Sequence, residues 1–114
     1  MQTDHMIEHF KLTFPAQSVN PMGLLQGGMI TAALDDATSV TMISGYQREL
    51  APLSTNLHVM FNRGLQPGDA TIKVKVVKLS RRSAMAEGRP FDTQGRLIAT
   101  LFHTAQPTQL ASAS

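Results

Sequence analysis

The stretch NPMGLLQGGMITAALDDATSVTM, residues 20–42, decides the fold. A Pro-Met-Gly turn precedes two adjacent glycines, and a run of small and apolar residues follows them. From 27 to about 44 the apolar residues recur at helical spacing, which predicts one long helix that ends at Gly45. Asp35 and Asp36 lie near the middle of this helix, where an unpaired buried charge is costly. The sequence therefore predicts a central helix in which a carboxylate serves chemistry rather than packing.

The rest of the chain alternates apolar and polar residues with a period of two, the pattern of half-buried strands. One such segment precedes the helix, and four follow it, separated by the turn sequences QPGD, SRR and DTQG. The predicted strands are MIEHFKLTF (6–14), LSTNLHVMFN (53–62), ATIKVKVVKL (70–79), SAMAEGRPF (83–91) and RLIATLFHTA (96–105). The tail QPTQLASAS, 106–114, is predicted to fray. This order of elements predicts an α+β fold.

The composition fits one domain spanning 1–114, with a core at about 6–105. Hydrophobic residues make up 42% and charged residues 16% of the chain, so it can build a core. The net charge is +2 and the sequence shows no continuous basic face, so we expect no nucleic-acid partner. The absence of cysteine excludes disulfides, thiol catalysis and a cysteine-based zinc site.

No segment approaches the roughly 18 consecutive apolar residues of a membrane helix. The polar start MQTDHMIEHF does not resemble a signal peptide, so we expect a cytoplasmic protein without a membrane partner. The histidines at 5, 9, 58 and 103 are dispersed without metal-ligand spacing, so no metal site is predicted.

One helix cannot cover both faces of a five-stranded sheet. The expected arrangement is an antiparallel five-stranded sheet that curves around one long central helix, with the remaining surface closed by another copy of the chain. A domain this small buries only about two-thirds of its unfolded surface, which also favours self-association. We expect a homo-oligomer with a dimer as the minimum unit and a tetramer as the assembly.

The element order, together with the motif N-x5-Q-G-G-x6-D beginning at Asn20, resembles the hotdog-fold acyl-CoA thioesterases, in particular their PaaI-like, phenylacetate-pathway branch. The resemblance covers roughly 6–105. It implies a hotdog fold and hydrolysis of an acyl-CoA, with a medium-chain or aryl acyl group, to free acid and CoA. It implies no cofactor, because coenzyme A is part of the substrate.

The helix start offers amides to an oxyanion. Gly27 and Gly28 have no Cβ, and first-turn amides lack intrahelical partners, so a ligand can approach donors that the helix dipole reinforces. The resemblance implies that the Gly27 N–H polarises the thioester carbonyl and that Asp35 is the catalytic carboxylate, either general base or nucleophile. The alternatives are that the glycines only allow tight packing, and that Asp35 pairs with an Arg or Lys.

The spacing of these two groups has a geometric consequence. Eight residues separate Gly27 from Asp35, which is about 12 Å along a helix. One thioester carbon cannot lie within hydrogen-bonding reach of both groups of the same helix. We therefore expect the active site between two antiparallel helices of a dimer, and an inactive monomer.

The resemblance also implies roles for three polar residues, and the strand pattern adds a fourth. Asn20 helps to bind the thioester or to orient water, although it could equally cap the turn before the proline. Ser54 holds the water or the carboxylate, or is merely structural. Gln26 replaces the histidine that most relatives carry before the glycines, and it can support the loop by hydrogen bonds but cannot titrate. His58 shares a predicted strand face with Ser54, so it is the one histidine retained as a substrate-binding candidate.

Arg81 and Arg82 occupy the strand reversal at which relatives contact the phosphates of coenzyme A. Guanidinium groups suit phosphate recognition, although a solubilising turn would have the same composition. Asp36 points about 100° away from Asp35 around the helix, so both carboxylates cannot face one substrate. We expect Asp36 to make a structural hydrogen bond or ion pair.

Two further functions are consistent with the same fold. A non-catalytic acyl-CoA-binding protein, a sensor or carrier, is favoured by Gln26 and disfavoured by Asp35. The resemblance implies that a hotdog dehydratase or hydratase needs a histidine directly before or on the helix, and residues 20–45 contain none, so this function ranks last.

Overall fold

The computed structural model describes residues 6–110 and confirms the predicted order of elements. One helix follows the first strand, and four strands follow the helix. A short 3-10 turn, Ala16–Ser18, lies between the first strand and the helix. The elements are β1 Ile7–Phe14, α1 Gly27–Gly45, β2 Leu50–Phe61, β3 Gly68–Leu79, β4 Ala84–Phe91 and β5 Ala99–Gln109.

The five strands form one antiparallel sheet in the order β1-β3-β4-β5-β2. The helix therefore connects the two edge strands, since β1 precedes it and β2 follows it. It packs against β2, β3, β4 and β5, so the sheet curves around it. The prediction of a hotdog fold is confirmed.

The helix approaches the sheet most closely over β4, where the sheet presents a glycine. A Cβ built on Gly88 would lie 3.2 Å from Thr38 Cγ2 and 3.4 Å from Leu34 Cδ2, so this helix turn packs directly against backbone. Two of the side chains buried there are threonines, Thr38 and Thr41, and each donates its hydroxyl proton to the carbonyl one turn earlier. The sheet-facing side of α1 consists of Ile30, Leu34, Ala37, Thr38, Thr41 and Met42.

The helix ends at Gly45, as predicted. Gly45 does not adopt a left-handed conformation there. A Cβ on Gly45 would collide with the Leu79 side chain, so the glycine allows the last turn to pack on the end of β3. The reversal itself falls on Gln47 and Arg48, whose φ angles are 56° and 65°.

The prediction of a frayed tail is wrong for 106–109. Strand β5 continues to Gln109, which pairs with Leu50 at the start of β2. The ladder persists although Pro52 lies opposite Pro107. Each proline has one side without a partner strand, because β2 is an edge strand and β4 does not extend beyond the partner of Ala105. Residues 111–114 lie outside the described part of the chain.

Strand β2 pairs with β5 on one side only, which makes it an edge strand of the sheet. It exposes several large apolar side chains: Leu53 (59%), Leu57 (38%), Met60 (54%) and Phe61 (53%). Unpaired edges with apolar side chains favour association with another chain. This edge therefore offers an unpaired, apolar surface to a second copy.

Candidate active site

The first turn of α1 has amide groups without partners. Gln26 is the N-cap residue, but its side chain makes no capping bond. Its carbonyl accepts from Met29 N at 3.0 Å and Ile30 N at 3.3 Å, whereas within 6–110 no acceptor is found for the amides of Gly27 and Gly28. These two donors, at the positive end of the helix dipole, are therefore available to a negatively charged or strongly polarised oxygen.

The two glycines have different surroundings. A Cβ on Gly27 would lie 3.1 Å from Phe61 Cζ, so this glycine allows the aromatic ring to cover the backbone. A Cβ on Gly28 would meet nothing within 4 Å. Packing against Phe61 therefore explains in part why residue 27 is a glycine, but packing does not explain why residue 28 is one.

Asn20 is held in place by its side-chain oxygen. Asn20 Oδ1 accepts from Met22 N at 2.9 Å and from Leu24 N at 3.1 Å, which is the turn-capping arrangement. Its Nδ2 group has no acceptor among the described residues. Asn20 and Gly27 line the same groove of about 280 Å³, together with Phe61 and Arg63. The loop-capping interpretation therefore leaves the amide donors of Asn20 available to a ligand in this groove.

Asp35 is only half-buried: 38% of its side chain is exposed. Within 6–110 no Arg or Lys pairs with it, so the structure does not support the ion-pair alternative. Its neighbours are Ser39, whose Oγ lies 3.4 Å from Oδ1, and His103, whose Nδ1 lies 3.8 Å from the same oxygen. Asp36 is exposed, and within 6–110 no residue forms the predicted hydrogen bond or ion pair with it.

His103 of β5 is fully buried beside Asp35, and the sequence analysis treated it as an ordinary strand residue. Its Nδ1 lies 2.7 Å from Thr38 Oγ1, and its Nε2 lies 2.7 Å from Ser54 Oγ. Burial lowers the pKa of the imidazole below its ordinary value of 6.5, and the nearby Asp35 carboxylate opposes this shift. His103 is therefore neutral at neutral pH and, from β5, contacts both α1 and β2.

A signal for His103 exists in the sequence. In β5 the buried alternate positions are Ala99, Leu101, His103 and Ala105. A histidine that falls in phase with an otherwise apolar alternation must be buried with partners. The phase of residue 103 within the alternation of β5 therefore indicates a buried histidine.

Ser54 and His58 lie on opposite faces of the sheet, so the prediction that they share a face is wrong. The β2–β5 register shifts between Ser54 and Asn56, which marks a β-bulge. Ser54 pairs with the buried Ala105, whereas His58 pairs with Phe102 and its ring lies 6.2 Å from that ring. One extra residue in the bulge moves every later side chain of β2 to the other face.

Arg81 and Arg82 lie in the exposed turn between β3 and β4. The end of β3 packs against Gly45, the last residue of α1. The 19-residue helix is about 28 Å long. Within one chain, both arginines therefore lie at the end of the helix opposite to Gly27.

Comparison with known protein families shows to which family the chain belongs. The profile of the thioesterase superfamily matches residues 22–99, more than half of the chain. The chain belongs to the thioesterase superfamily. The resemblance to hotdog thioesterases is thereby confirmed, and family membership supports a thioesterase activity in general. A comparison with curated proteins gave no match.

Solved structures share the fold at low sequence identity. A thioesterase of Haemophilus influenzae is 14% identical with a TM-score of 0.83, covering 94% of this chain and 75% of that one. A phenylacetic acid degradation-related protein of Ralstonia eutropha is 23% identical with a TM-score of 0.81, covering 90% and 83%. A protein of Bacillus halodurans, crystallised with CoA, is 15% identical with a TM-score of 0.79, covering 86% and 69%.

The described residues contain no helix long and apolar enough to cross a membrane. They also contain no cluster of three or more His, Cys, Asp or Glu side chains that could hold a metal ion.

Proposed function

We propose that the protein hydrolyses acyl-CoA thioesters, with a medium-chain or aryl acyl group, to the free acid and CoA. The observation that carries this proposal is that one helix holds both first-turn amides without an acceptor and a half-buried carboxylate with which no Arg or Lys pairs, among residues 6–110. Amides aimed at a developing oxyanion and a carboxylate that activates water are the two requirements of thioester hydrolysis.

In the proposed reaction, Asp35 removes a proton from water, and the resulting hydroxide attacks the thioester carbon. In the alternative route, the carboxylate itself attacks the carbon and displaces CoA to form a mixed anhydride, and water then hydrolyses the anhydride, which releases the free acid, restores Asp35 and supplies the proton for the thiolate. The carbonyl oxygen becomes an oxyanion, stabilised by the Gly27 amide and by Asn20 Nδ2. Collapse of the tetrahedral intermediate breaks the carbon–sulfur bond and releases the CoA thiolate, which takes up the proton.

The distance along the helix requires two copies of the chain in this reaction. Gly27 and Asp35 are about 12 Å apart along α1, so we propose that they act on one thioester from different protomers. Antiparallel helices would bring the Asp35 of one protomer to the Gly27 of its partner. The same antiparallel arrangement brings Arg81 and Arg82 of the first protomer towards the amide end of its partner's helix, where they would contact the phosphates of CoA. The apolar edge of β2 supports such a dimer.

A thiol-release assay over a panel of acyl-CoAs tests the activity. Under the proposal, the wild type turns over at least one of them, and Asp35→Ala retains the fold but loses kcat by about 10²-fold or more, the usual contribution of a general base. Comparable rates in the two proteins contradict the role of Asp35. Binding of CoA esters without turnover by the wild type supports the acyl-CoA-binding alternative.

Two substitutions at Gly27 isolate its amide. Gly27 is the first helical residue, a position that tolerates proline, and Gln26 already has the extended ψ of 139° that a following proline favours. Gly27→Pro removes the N–H, whereas Gly27→Ala retains it and adds a similar contact with the Phe61 ring. We expect a large loss of kcat in the proline variant and a much smaller loss in the alanine variant. Equal losses would show that crowding, not the amide, is responsible.

Mixing two inactive variants tests whether the site is shared. Random reassembly of Gly27→Pro with Asp35→Ala gives half mixed dimers, each with one intact site of two, so roughly a quarter of the wild-type activity returns. If both groups acted within one chain, no activity would return. Each variant reassembled with itself provides the control.

A further inference from the structure

Three segments distant in the sequence meet at the His103 ring. Thr38 from α1 lies 2.7 Å from Nδ1, and Ser54 from β2 lies 2.7 Å from Nε2. The Asp35 carboxylate lies 3.8 Å from Nδ1 and is the one charged group recorded against the ring among residues 6–110. Both nitrogens thus have hydroxyl partners, although a neutral imidazole carries only one proton. The direction of each hydrogen bond therefore depends on which imidazole nitrogen carries the proton.

The helix determines the direction of the first bond. Thr38 has one hydroxyl proton, and its Oγ1 lies 2.8 Å from the Leu34 carbonyl oxygen, the usual acceptor for a helical threonine. With its proton donated to the backbone, Thr38 Oγ1 can only accept from His103. The imidazole proton is then on Nδ1, where the Asp35 carboxylate also favours it.

The second bond follows from the first. A neutral ring that is protonated on Nδ1 has a bare Nε2, which can only accept. Ser54 must therefore donate its proton to His103. The lone pairs of Ser54 Oγ are left to face the accessible side of the strand, because Ser54 is exposed whereas His103 is not.

We propose that His103 is a positioning residue that holds the Ser54 hydroxyl as a hydrogen-bond acceptor for the attacking water. This inference rests on the proposed thioesterase function. Water that donates one proton to Ser54 and the other to Asp35 directs its oxygen lone pair at the thioester carbon. Thr38, His103, Ser54 and Asp35 all belong to one protomer, which prepares the nucleophile, while its partner supplies the amides for the oxyanion.

The state of the ring can be measured without any substrate. Nitrogen NMR of the uniformly labelled wild type at pH 7 is expected to show His103 with a protonated Nδ1 and a bare Nε2. Thr38→Val removes the acceptor with little change in volume, so a shift of His103 towards the other tautomer is expected in that variant. A proton on Nε2, or a charged ring, in the wild type at pH 7 overturns the proposal, because Ser54 would then accept from the ring and donate outwards.

The kinetic test asks whether His103 acts through Ser54. We expect His103→Leu to lower kcat about tenfold or more with little change in KM, and to have almost no further effect in a Ser54→Ala background. His103→Gln retains an acceptor near Nε2 and should recover part of kcat. Thermal melts establish whether each variant is folded. If His103→Leu does not fold, Thr38→Val provides the same test without altering the ring.

The outcomes separate the two proposals. If replacing both His103 and Ser54 lowers kcat by the product of the two single losses, the positioning role is refuted, because a purely structural residue would act independently of the Ser54 hydroxyl. No turnover by the wild type on any acyl-CoA refutes the thioesterase proposal and the kinetic role of His103 with it. In that case the tautomer measurement still decides the orientation of Ser54.

Discussion

Gly28→Ala should make the protein more stable and less active. Gly28 is an exposed residue in the first turn of α1, and a Cβ built on it meets no heavy atom of the described chain within 4 Å. The added methyl group therefore causes no clash. Alanine is favoured over glycine within a helix by about 0.5–1 kcal/mol, so the free energy of unfolding should rise by up to that amount. The melting temperature should rise by the order of a few degrees.

Under the proposed function, the same methyl group lies where a thioester would approach the amides of Gly27 and Gly28. An extra methylene in a close-fitting site typically costs about 1–3 kcal/mol. Applied to the transition state, this corresponds to a loss of roughly 5- to 150-fold in kcat/KM. We therefore expect the single added methyl group to raise the free energy of unfolding and to lower kcat/KM.

Thermal denaturation and thiol release measured on the same preparations test this prediction. Ser44→Ala is the matched control, because Ser44 is exposed in the last turn of the same helix and alanine also improves helix propensity there. The control should gain stability and retain its activity. Wild-type kcat/KM in Gly28→Ala would show that the substrate does not pass over this turn. A loss of stability would refute the inference that the position is open.

Three further predictions follow from the buried contacts and the exposed arginines. Because the pKa of His103 is lowered below 6.5 in the fold, the unfolded chain binds a proton at this residue more readily than the folded chain does. The contribution of His103 to stability should therefore be complete above pH 6.5 and fall as the pH decreases below it. Melting temperatures of wild type and His103→Gln, measured across this pH range, should differ in their acid dependence, and parallel curves would contradict the prediction. Gly88→Ala adds a methyl group 3.2 Å from Thr38 Cγ2 in a closed interior, so urea denaturation should show a loss of about 1–3 kcal/mol, and wild-type stability would refute the close packing. Arg82→Ala should raise KM for acyl-CoA but not for the matching acyl-pantetheine, which lacks the nucleotide phosphates; an unchanged KM for acyl-CoA would exclude phosphate contact.

The fold could be predicted from the sequence because each element has a strong local pattern. The helix from Gly27 to Gly45 combines helical periodicity with terminal glycines, and its predicted and observed limits agree closely. The strands were found from their alternation, although β2 begins at Leu50 rather than at 53. The early start of β2 provides the partner for the end of β5, so the ordered tail results from a long-range pairing that no local pattern contains.

The candidate site was predicted less completely, because the register of β2 against β5 decides which side chains of β2 face the helix. The donors at Gly27 and the carboxylate of Asp35 lie within one helix, where spacing alone fixes their geometry. The faces of β2 depend on a bulge between Ser54 and Asn56, and the alternation of the sequence gives no sign of it. That bulge separates His58 from Ser54 and aligns Ser54 with His103, so the histidine that contacts Ser54 is His103 and not His58.

The His103 ring also has a consequence for how the edge strand folds. Two buried nitrogens find their partners only if residue 54 of β2 stands opposite residue 105 of β5 and if α1 is docked above them. A slip of one residue would replace the serine by Leu53 or Thr55, and the leucine would leave an imidazole nitrogen unsatisfied in the interior. The polar contact therefore disfavours the register that would place Leu53 opposite residue 105, and it stabilises the observed alignment of this edge strand.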